Sequence, residues 1–187
     1  MYKIVLCGNY SVGKTSLVTR LVRNIFNTGM PPTIGASFIT WKPDPRQKDY
    51  YGIWDTAGQE RFAELLPLYF REAHIILYCW DSRTPVDEVA LNNMYAKVRQ
   101  YTNGYFYVVL TKSDLYDGVD FNPLKEWIKS IENSGGVFIT SAQTGIGVRE
   151  LFMDIDKQLK TKLPPLKKDN LTLEQHTNNP RRKCCNR

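Results

Sequence analysis

Residues 8–15 read Gly8-Asn9-Tyr10-Ser11-Val12-Gly13-Lys14-Thr15, a match to G-x-x-x-x-G-K-[ST]. A short apolar run, Lys3–Cys7, precedes it, and residues 14–24 follow with apolar positions at 17, 18, 21 and 22, the spacing of a helix. The chemistry this pattern serves is the holding of a phosphate chain. Glycines let the backbone wrap tightly, so that the N–H groups of Ser11, Val12, Gly13, Lys14, Thr15 and Ser16 point into one concavity. The helix N-terminus adds its partial positive charge. Lys14 can reach the β- and γ-phosphates, and the Thr15 hydroxyl can ligate Mg²⁺. A glycine-bearing turn can meet the pattern by chance, but the strand before it and the helix after it are the context the function requires. The motif implies a nucleoside triphosphate with Mg²⁺ and leaves the base open.

A second loop, Asp55-Thr56-Ala57-Gly58-Gln59-Glu60, follows the strand-like run ending at Trp54. An Asp at a strand end can hold Mg²⁺ through its water shell, Gly58 lets a backbone N–H approach the γ-phosphate, and Gln59 is placed to orient an attacking water. In isolation D-x-x-G fits a solvated turn equally well; the upstream phosphate loop gives it weight.

These loops need a frame that brings them together, and the alternation of elements supplies one. Ser37–Lys42 and Tyr50–Trp54 read as a strand pair. Ile75–Trp80 is a continuous apolar run, as for a strand buried on both faces. Asp87–Gln100 and Pro123–Glu132 read as helices, Tyr105–Leu110 and Val137–Thr140 as strands. Val148–Leu159 is a last helix, with Leu151, Phe152, Ile155 and Leu159 on one stripe. The expected fold is α/β: six strands in a mostly parallel sheet, one of them antiparallel, with helices on both faces. Ligands of such sheets bind beyond the carboxyl ends of the strands, where the loops above lie.

The chain of 187 residues, 42% hydrophobic and 24% charged, suits one domain with a tail. The domain is expected over residues 1–162. Pro164-Pro165 stops any helix, and residues 163–187 are polar, basic and expected to be disordered. No signal peptide is read ahead of the first strand and no apolar run reaches membrane-span length, so a cytosolic chain is expected. The formal charge of +6 is unevenly spread: residues 157–187 hold nine Lys or Arg against two acids, and the rest 16 against 17. The basicity therefore belongs to the tail, which argues for an anionic surface and against nucleic acid. Cys7 and Cys79 lie in apolar runs and read as buried thiols. Cys184 and Cys185 are adjacent near the C-terminus, and neither a disulfide framework nor a metal cluster is indicated. His74 and His176 invite no role.

Pro32-Thr33-Ile34-Gly35 falls between the two loops, 19 residues after Lys14 and 22 before Asp55. With it the pattern over about residues 3–160 resembles the Ras-superfamily GTPases, and a P-loop NTPase G domain is the fold this implies. The resemblance implies that Thr33 binds Mg²⁺ and the γ-phosphate in the triphosphate state only, so that Thr15, Thr33 and Asp55 form the metal set. It also implies that Phe26 packs edge-on against guanine. Thr111-Lys112-Ser113-Asp114 is similar to N-K-x-D: Asp114 would accept from guanine N1–H and N2–H₂, a donor pair adenine lacks, with Lys112 along the purine face. Ser141-Ala142-Gln143 resembles S-A-K, whose alanine N–H bonds guanine O6.

Within the superfamily, Ile34–Phe38, Ile53–Phe62 and Tyr69–Ala73 are most similar to the Rab branch, and in wording to endosomal Rabs. Phe38, Trp54 and Tyr69 match the aromatic triad that Rab effectors read; ordinary core packing is the competing explanation, and for Trp54 the two weigh equally. Cys184-Cys185-Asn186-Arg187 is similar to the C-C-x-x ending used for double geranylgeranylation and is a poor C-a-a-X signal. Two lipids anchor stably where one does not, and Arg181-Arg182-Lys183 adds attraction to anionic lipid. The resemblance implies a GTP-hydrolysing switch in vesicle traffic, peripheral to the cytosolic face of intracellular, endosomal-type membranes. It implies as partners an exchange factor, a GTPase-activating protein, a GDP-dissociation inhibitor or escort protein, and effectors, with no nucleic acid and a monomeric state.

Three departures from the family pattern bear on chemistry. Tyr10 stands where Gly or Ser is usual. Thr111 replaces Asn, shortening a side chain that braces the base and the phosphate loop, and Gln143 replaces Lys, losing charge and stem over the purine. Faster nucleotide release is the expectation from the last two. Three other readings stay open: a nucleotide-bound scaffold with negligible hydrolysis, which Tyr10 favours and Gln59 disfavours; a P-loop kinase, for which no lid-length insertion is found; and a basic nucleic-acid module, which the near-neutral body disfavours. No arginine finger is evident in cis. If the Tyr10 phenol crowds Gln59 or an incoming arginine, activator-stimulated hydrolysis should rise in Tyr10→Ser. Unchanged stimulated rates in that variant would remove the idea.

Overall fold

The computed structural model describes residues 1–59, 64–116 and 118–162. Six strands form one sheet in the order β2-β3-β1-β4-β5-β6. In chain order they are β1 (Tyr2–Cys7), β2 (Ala36–Trp41), β3 (Tyr51–Thr56), β4 (Ile75–Asp81), β5 (Tyr105–Thr111) and β6 (Ser134–Ile139). The helices are α1 (Lys14–Arg23), α2 (Leu66–Phe70), α3 (Glu88–Arg99), α4 (Asn122–Ser130) and α5 (Val148–Lys162). All strand pairs are parallel except β2 with β3, where Phe38 faces Trp54 across the ladder.

The period of two along each central strand explains the layering. On β1, Tyr2, Ile4 and Leu6 point to one face, where they meet Leu17 and Val18 of α1 and Leu151, Phe152, Ile155 and Leu159 of α5. Val5 and Cys7 point to the other, toward Phe70 of α2, Leu91 and Val98 of α3, and Leu124, Trp127 and Ile128 of α4. Strands β4 and β5 divide in the same way, Leu77 and Val109 on one side, Ile76 and Val108 on the other. Both faces are covered, which is why these strands read as unbroken apolar runs. The expected α/β fold, with its single antiparallel strand and helices on both faces, is the one observed.

Element bounds differ from the sequence reading in instructive places. Strand β6 begins at Ser134, not Val137. Gly135 and Gly136 disguise it, because glycine carries no strand preference. Gly135 is required there: a Cβ would lie 2.1 Å from the Tyr107 ring. Helix α2 was missed because five residues are too few to show a period. Residues Glu60, Arg61 and Phe62 of the second loop, and the tail with Pro164, Pro165, His176, Cys184 and Cys185, lie outside the described residues.

Helix α5 is fastened to the sheet by more than apolar contact. The Tyr51 hydroxyl donates to Asp156, which also accepts from Lys160 at 2.6 Å. The Tyr107 hydroxyl donates to Gln158 at 2.7 Å. The Phe152 ring, fully buried, meets Trp41 of β2 edge-on at 5.5 Å between centroids. Truncating it leaves a cavity that a close-packed interior cannot fill. Phe152→Ala should cost about 3–5 kcal/mol in denaturant unfolding of the nucleotide-loaded protein. A loss below about 1 kcal/mol would mean that α5 is not seated as described.

Candidate functional site: a phosphate and base cleft

The carboxyl ends of β1, β3, β4 and β5 point toward one open cleft of about 430 Å³, within the range of small-molecule sites. Its floor is the turn from β1 into α1. Helix α1 is preceded by Gly13, which offers no side-chain cap, and has no acid in its first turn. The N–H groups that other helices satisfy with a cap are therefore left to a ligand, and the local field suits an anion. Lys14 is 5% exposed, and its ammonium donates to the Gly8 and Asn9 carbonyls, both at 2.9 Å. Burial lowers its pKa, with Asp55 and the Cys79 and Cys7 thiols acting the other way. Gly58 closes the opposite wall so tightly that a Cβ would stand 2.5 Å from both the Asn9 carbonyl oxygen and Lys14 Nζ.

Three oxygen-bearing side chains from distant parts of the chain converge beside Lys14. Thr15 Oγ1 donates to Asp55 Oδ2 at 2.7 Å and lies 2.7 Å from Thr33 Oγ1. The loop carrying Thr33 is tied to the loop after β3 by Ala57 N–H donating to Gly35 O at 2.7 Å.

At the other end of the cleft, the Asp114 carboxylate accepts from the Ser141 hydroxyl. Lys112 adopts a left-handed backbone, φ 58°. Its ammonium donates to Asp81 Oδ2 at 2.9 Å. Thr111 Oγ1 reaches both Val12 O at 2.6 Å and Trp80 O at 3.0 Å.

The sequence profile of the Ras family matches residues 3–161. Human Ras-related protein Rab-31 is 33% identical over 189 residues, which covers 98% of this chain and 96% of its own. Human Ras-related protein Rab-22A is 34% identical over 193 residues, with 98% and 97% covered, and its counterpart from Canis lupus familiaris is 33% identical. The chain is a Rab-type member of the Ras family of small GTPases.

For a small GTPase of this kind the residues present suit Mg²⁺. The donor set is all oxygen, as a hard cation prefers. Asp55 Oδ1 is buried and has no hydrogen-bond partner, an orphan that a cation's hydration shell would satisfy. Burial pushes the Asp55 carboxyl up, against the Thr15 hydroxyl and Lys14, so its ionised form lacks full compensation within the protein alone.

Ser11, Val12, Gly13, Lys14, Thr15, Ser16, Phe26, Thr33, Gly58, Thr111, Lys112, Asp114, Ala142 and Gln143 all line the cleft. Ser141 and Asp55 are fully buried behind its wall, and Gln59, next to Gly58, is not among the lining residues. Tyr10 also lines the cleft and is 55% exposed. Phe38, Trp54 and Tyr69 form a continuous row outside the cleft, with ring centroids 5.1 and 5.5 Å apart. Trp54 is half-buried against the core while Phe38 is 47% exposed.

Asp81 and Arg83 were missed by sequence reading. Arg83 lines the cleft and its guanidinium forks onto Asp81, at 3.0 Å from Nε and 2.7 Å from Nη2. The Arg83 guanidinium, with Lys112, holds the Asp81 carboxyl well below the usual range despite partial burial. No local pattern announces this pair; only the pairing of β4 with β5, Asp81 beside Thr111, brings it to Lys112. Burial pushes the Cys7 and Cys79 thiols up, in keeping with inert core cysteines.

The Thr111 side chain keeps the brace to the phosphate loop, since its hydroxyl is near enough to bond Val12 O. Removing that hydroxyl leaves the buried Val12 carbonyl short of a donor, at about 1–3 kcal/mol. Thr111→Val should therefore speed GDP release about tenfold in a fluorescent-GDP chase, whereas Thr111→Asn with Gln143→Lys should slow it. Equal rates in all three proteins would show that neither position controls release.

Proposed function

We propose that this small GTPase binds GTP and GDP with Mg²⁺, hydrolyses GTP to GDP slowly, and recruits effectors in intracellular membrane traffic. The observation that carries the reading is the meeting of Thr15, Thr33 and Asp55 beside a buried ammonium, with the Thr33 loop tied to the loop of Gly58. A γ-phosphate would draw Thr33 and the Gly58 N–H to the same point, and its loss would release both loops. Lys14 and the uncapped amides of α1 neutralise developing negative charge, and Gln59 orients the attacking water. Mg²⁺, held by Thr15, Thr33 and the Asp55 carboxylate, would supply further charge neutralisation on the phosphates. Asp114 and the amide groups of residues 142–143 read guanine, with Lys112 and Phe26 against its faces.

The row Phe38, Trp54 and Tyr69 is the proposed effector surface, presented next to the two loops that respond to the γ-phosphate. Cys184 and Cys185 are the proposed sites of double prenylation, with the basic tail adding affinity for anionic lipid. An exchange factor, an activating protein, an escort or GDP-dissociation inhibitor, and effectors are the partners this implies. Relatives named Rab-31 and Rab-22A support a place in membrane traffic, and the endosomal wording of the motifs supports an endosomal membrane. A second reading, a nucleotide-bound scaffold with negligible hydrolysis, is favoured by Tyr10 on the cleft rim.

Single-turnover hydrolysis of GTP by the purified protein, beside Gln59→Leu, separates them. A slow rate that disappears in Gln59→Leu is expected, a loss of at least about tenfold. Tight guanine binding with no hydrolysis in either protein would replace the switch with the scaffold.

A further inference from the structure

Asp81, Ser82 and Arg83 carry the chain out of β4 and belong to none of the motifs described above. They take hold of the end of β5 at three points. Ser82 N–H donates to Thr111 O and Ser82 Oγ to Lys112 O, both at 3.0 Å. The Asp81 carboxylate accepts from the Lys112 ammonium at 2.9 Å. Lys112 is thus held at its carbonyl and at the far end of its side chain by two neighbouring residues. Arg83 in turn fixes Asp81: its Nε, its Nη2 and its own backbone N–H all donate to that carboxylate, at 3.0, 2.7 and 3.1 Å.

The grip holds a conformation that Lys112 would not keep by itself. Its backbone is left-handed, φ 58°, which is disfavoured for a residue with a Cβ and persists only where the surroundings determine it. Ser82, which supplies two of the three bonds, is fully buried, a setting that strengthens them. The side chain of Lys112 is stretched toward Asp81 as a result. Its Cε lies 3.9 Å from the point where a Gly13 Cβ would stand, so the stem passes beside the phosphate loop. Gly13, Lys112 and Arg83 all line the cleft, whereas Asp81 is not among the lining residues. A lysine fixed at both ends has already given up the rotamer freedom that packing against a ligand would cost it.

We infer that Asp81, supported by Arg83, is a positioning residue for nucleotide binding: it preorganises Lys112, whose stem is stretched along the cleft before a nucleotide arrives. Asp81 then slows nucleotide release without touching the ligand, and Arg83 does so one step further back. A guanidinium suits that second task because its planar fork fixes the orientation of a carboxylate through two bonds, which an ammonium cannot. The inference rests on the guanine-binding reading proposed above, in which Lys112 lies against the purine.

The test measures release of fluorescent GDP, with Mg²⁺ present, from the full-length protein and from Asp81→Asn, Lys112→Ala and the double variant. Asp81→Asn alone should release GDP about tenfold faster, the size of one hydrogen bond to a charged group. In the Lys112→Ala background the same change should add less than about twofold, because the side chain through which Asp81 acts is gone. Arg83→Ala should speed release about twofold to fivefold, as for a partly exposed ion pair, and again only while Lys112 is present. Arg83 is exposed, so this variant carries the comparison if Asp81→Asn does not fold. Arg83→Lys keeps the charge without the fork and should not restore the wild-type rate. A role confined to holding β4 against β5 would speed release as much without Lys112 as with it. Such additivity would overturn the positioning role, as would unchanged release in both Asp81→Asn and Arg83→Ala. Release of GDP and ADP at one rate by the wild type would instead overturn the guanine reading on which the inference rests.

Discussion

A single hydroxyl holds three stretches of chain in one place. Thr15 Oγ1, on the first turn of α1, meets Asp55 from the end of β3 and Thr33 from the loop before β2. Everything else in the cleft is arranged around that junction. It can exist only because β1 lies between β3 and β4 in the sheet, so that the turn leaving β1 faces the end of β3 directly. The buried Lys14 ammonium sits beside it with two carbonyls as partners. A buried cation with neutral partners is poorly compensated, so this corner of the molecule favours a ligand of opposite charge.

The alternation of short apolar runs with amphipathic ones made the sheet and its two helical layers legible, because strands buried on both faces and helices buried on one have distinct periods. The corner around Lys14 was legible too, since most of its groups lie close together in sequence, within 8–15 and 55–58. The Asp114 end was only half legible. Asp114 and Ala142 stand in recognisable loops, but Asp81 meets Lys112 across 31 residues, and Arg20 meets the Ala142 and Gln143 carbonyls across 122 and 123. Nothing in local spacing records such contacts. Helix α2 and the start of β6 were obscured for simpler reasons, brevity in one and paired glycines in the other.

Thr111 shows how a departure from a pattern can preserve its mechanics. Its hydroxyl is shorter than an amide, yet it sits at the buried end of a strand whose position is set by β4 on one side and β6 on the other. From there it lies within bonding distance of the Val12 and Trp80 carbonyls, and its one proton, given to Val12 O at 2.6 Å, links the 8–15 loop to the loop after β5. What a hydroxyl cannot do is present both a donor and an acceptor to a third group while making this bond. The loop compensates by other routes: Ser82 donates to the Lys112 carbonyl, and Asp81 fixes the Lys112 ammonium.

The fastening of α5 has a mechanical consequence. The helix ends at Lys162 and is joined to the sheet along its length, by Phe152 near the start, Asp156 on Tyr51 midway, and Gln158 on Tyr107 beyond that. A pull on the chain beyond Lys162, directed along the helix axis, loads these bonds in shear, all at once. A pull directed away from the sheet would peel them one by one, beginning at the Lys160 end. The same domain is therefore strong toward tension in one direction and weak in the other, and a tether at the C-terminus would find it most resistant when the helix lies along the line of force.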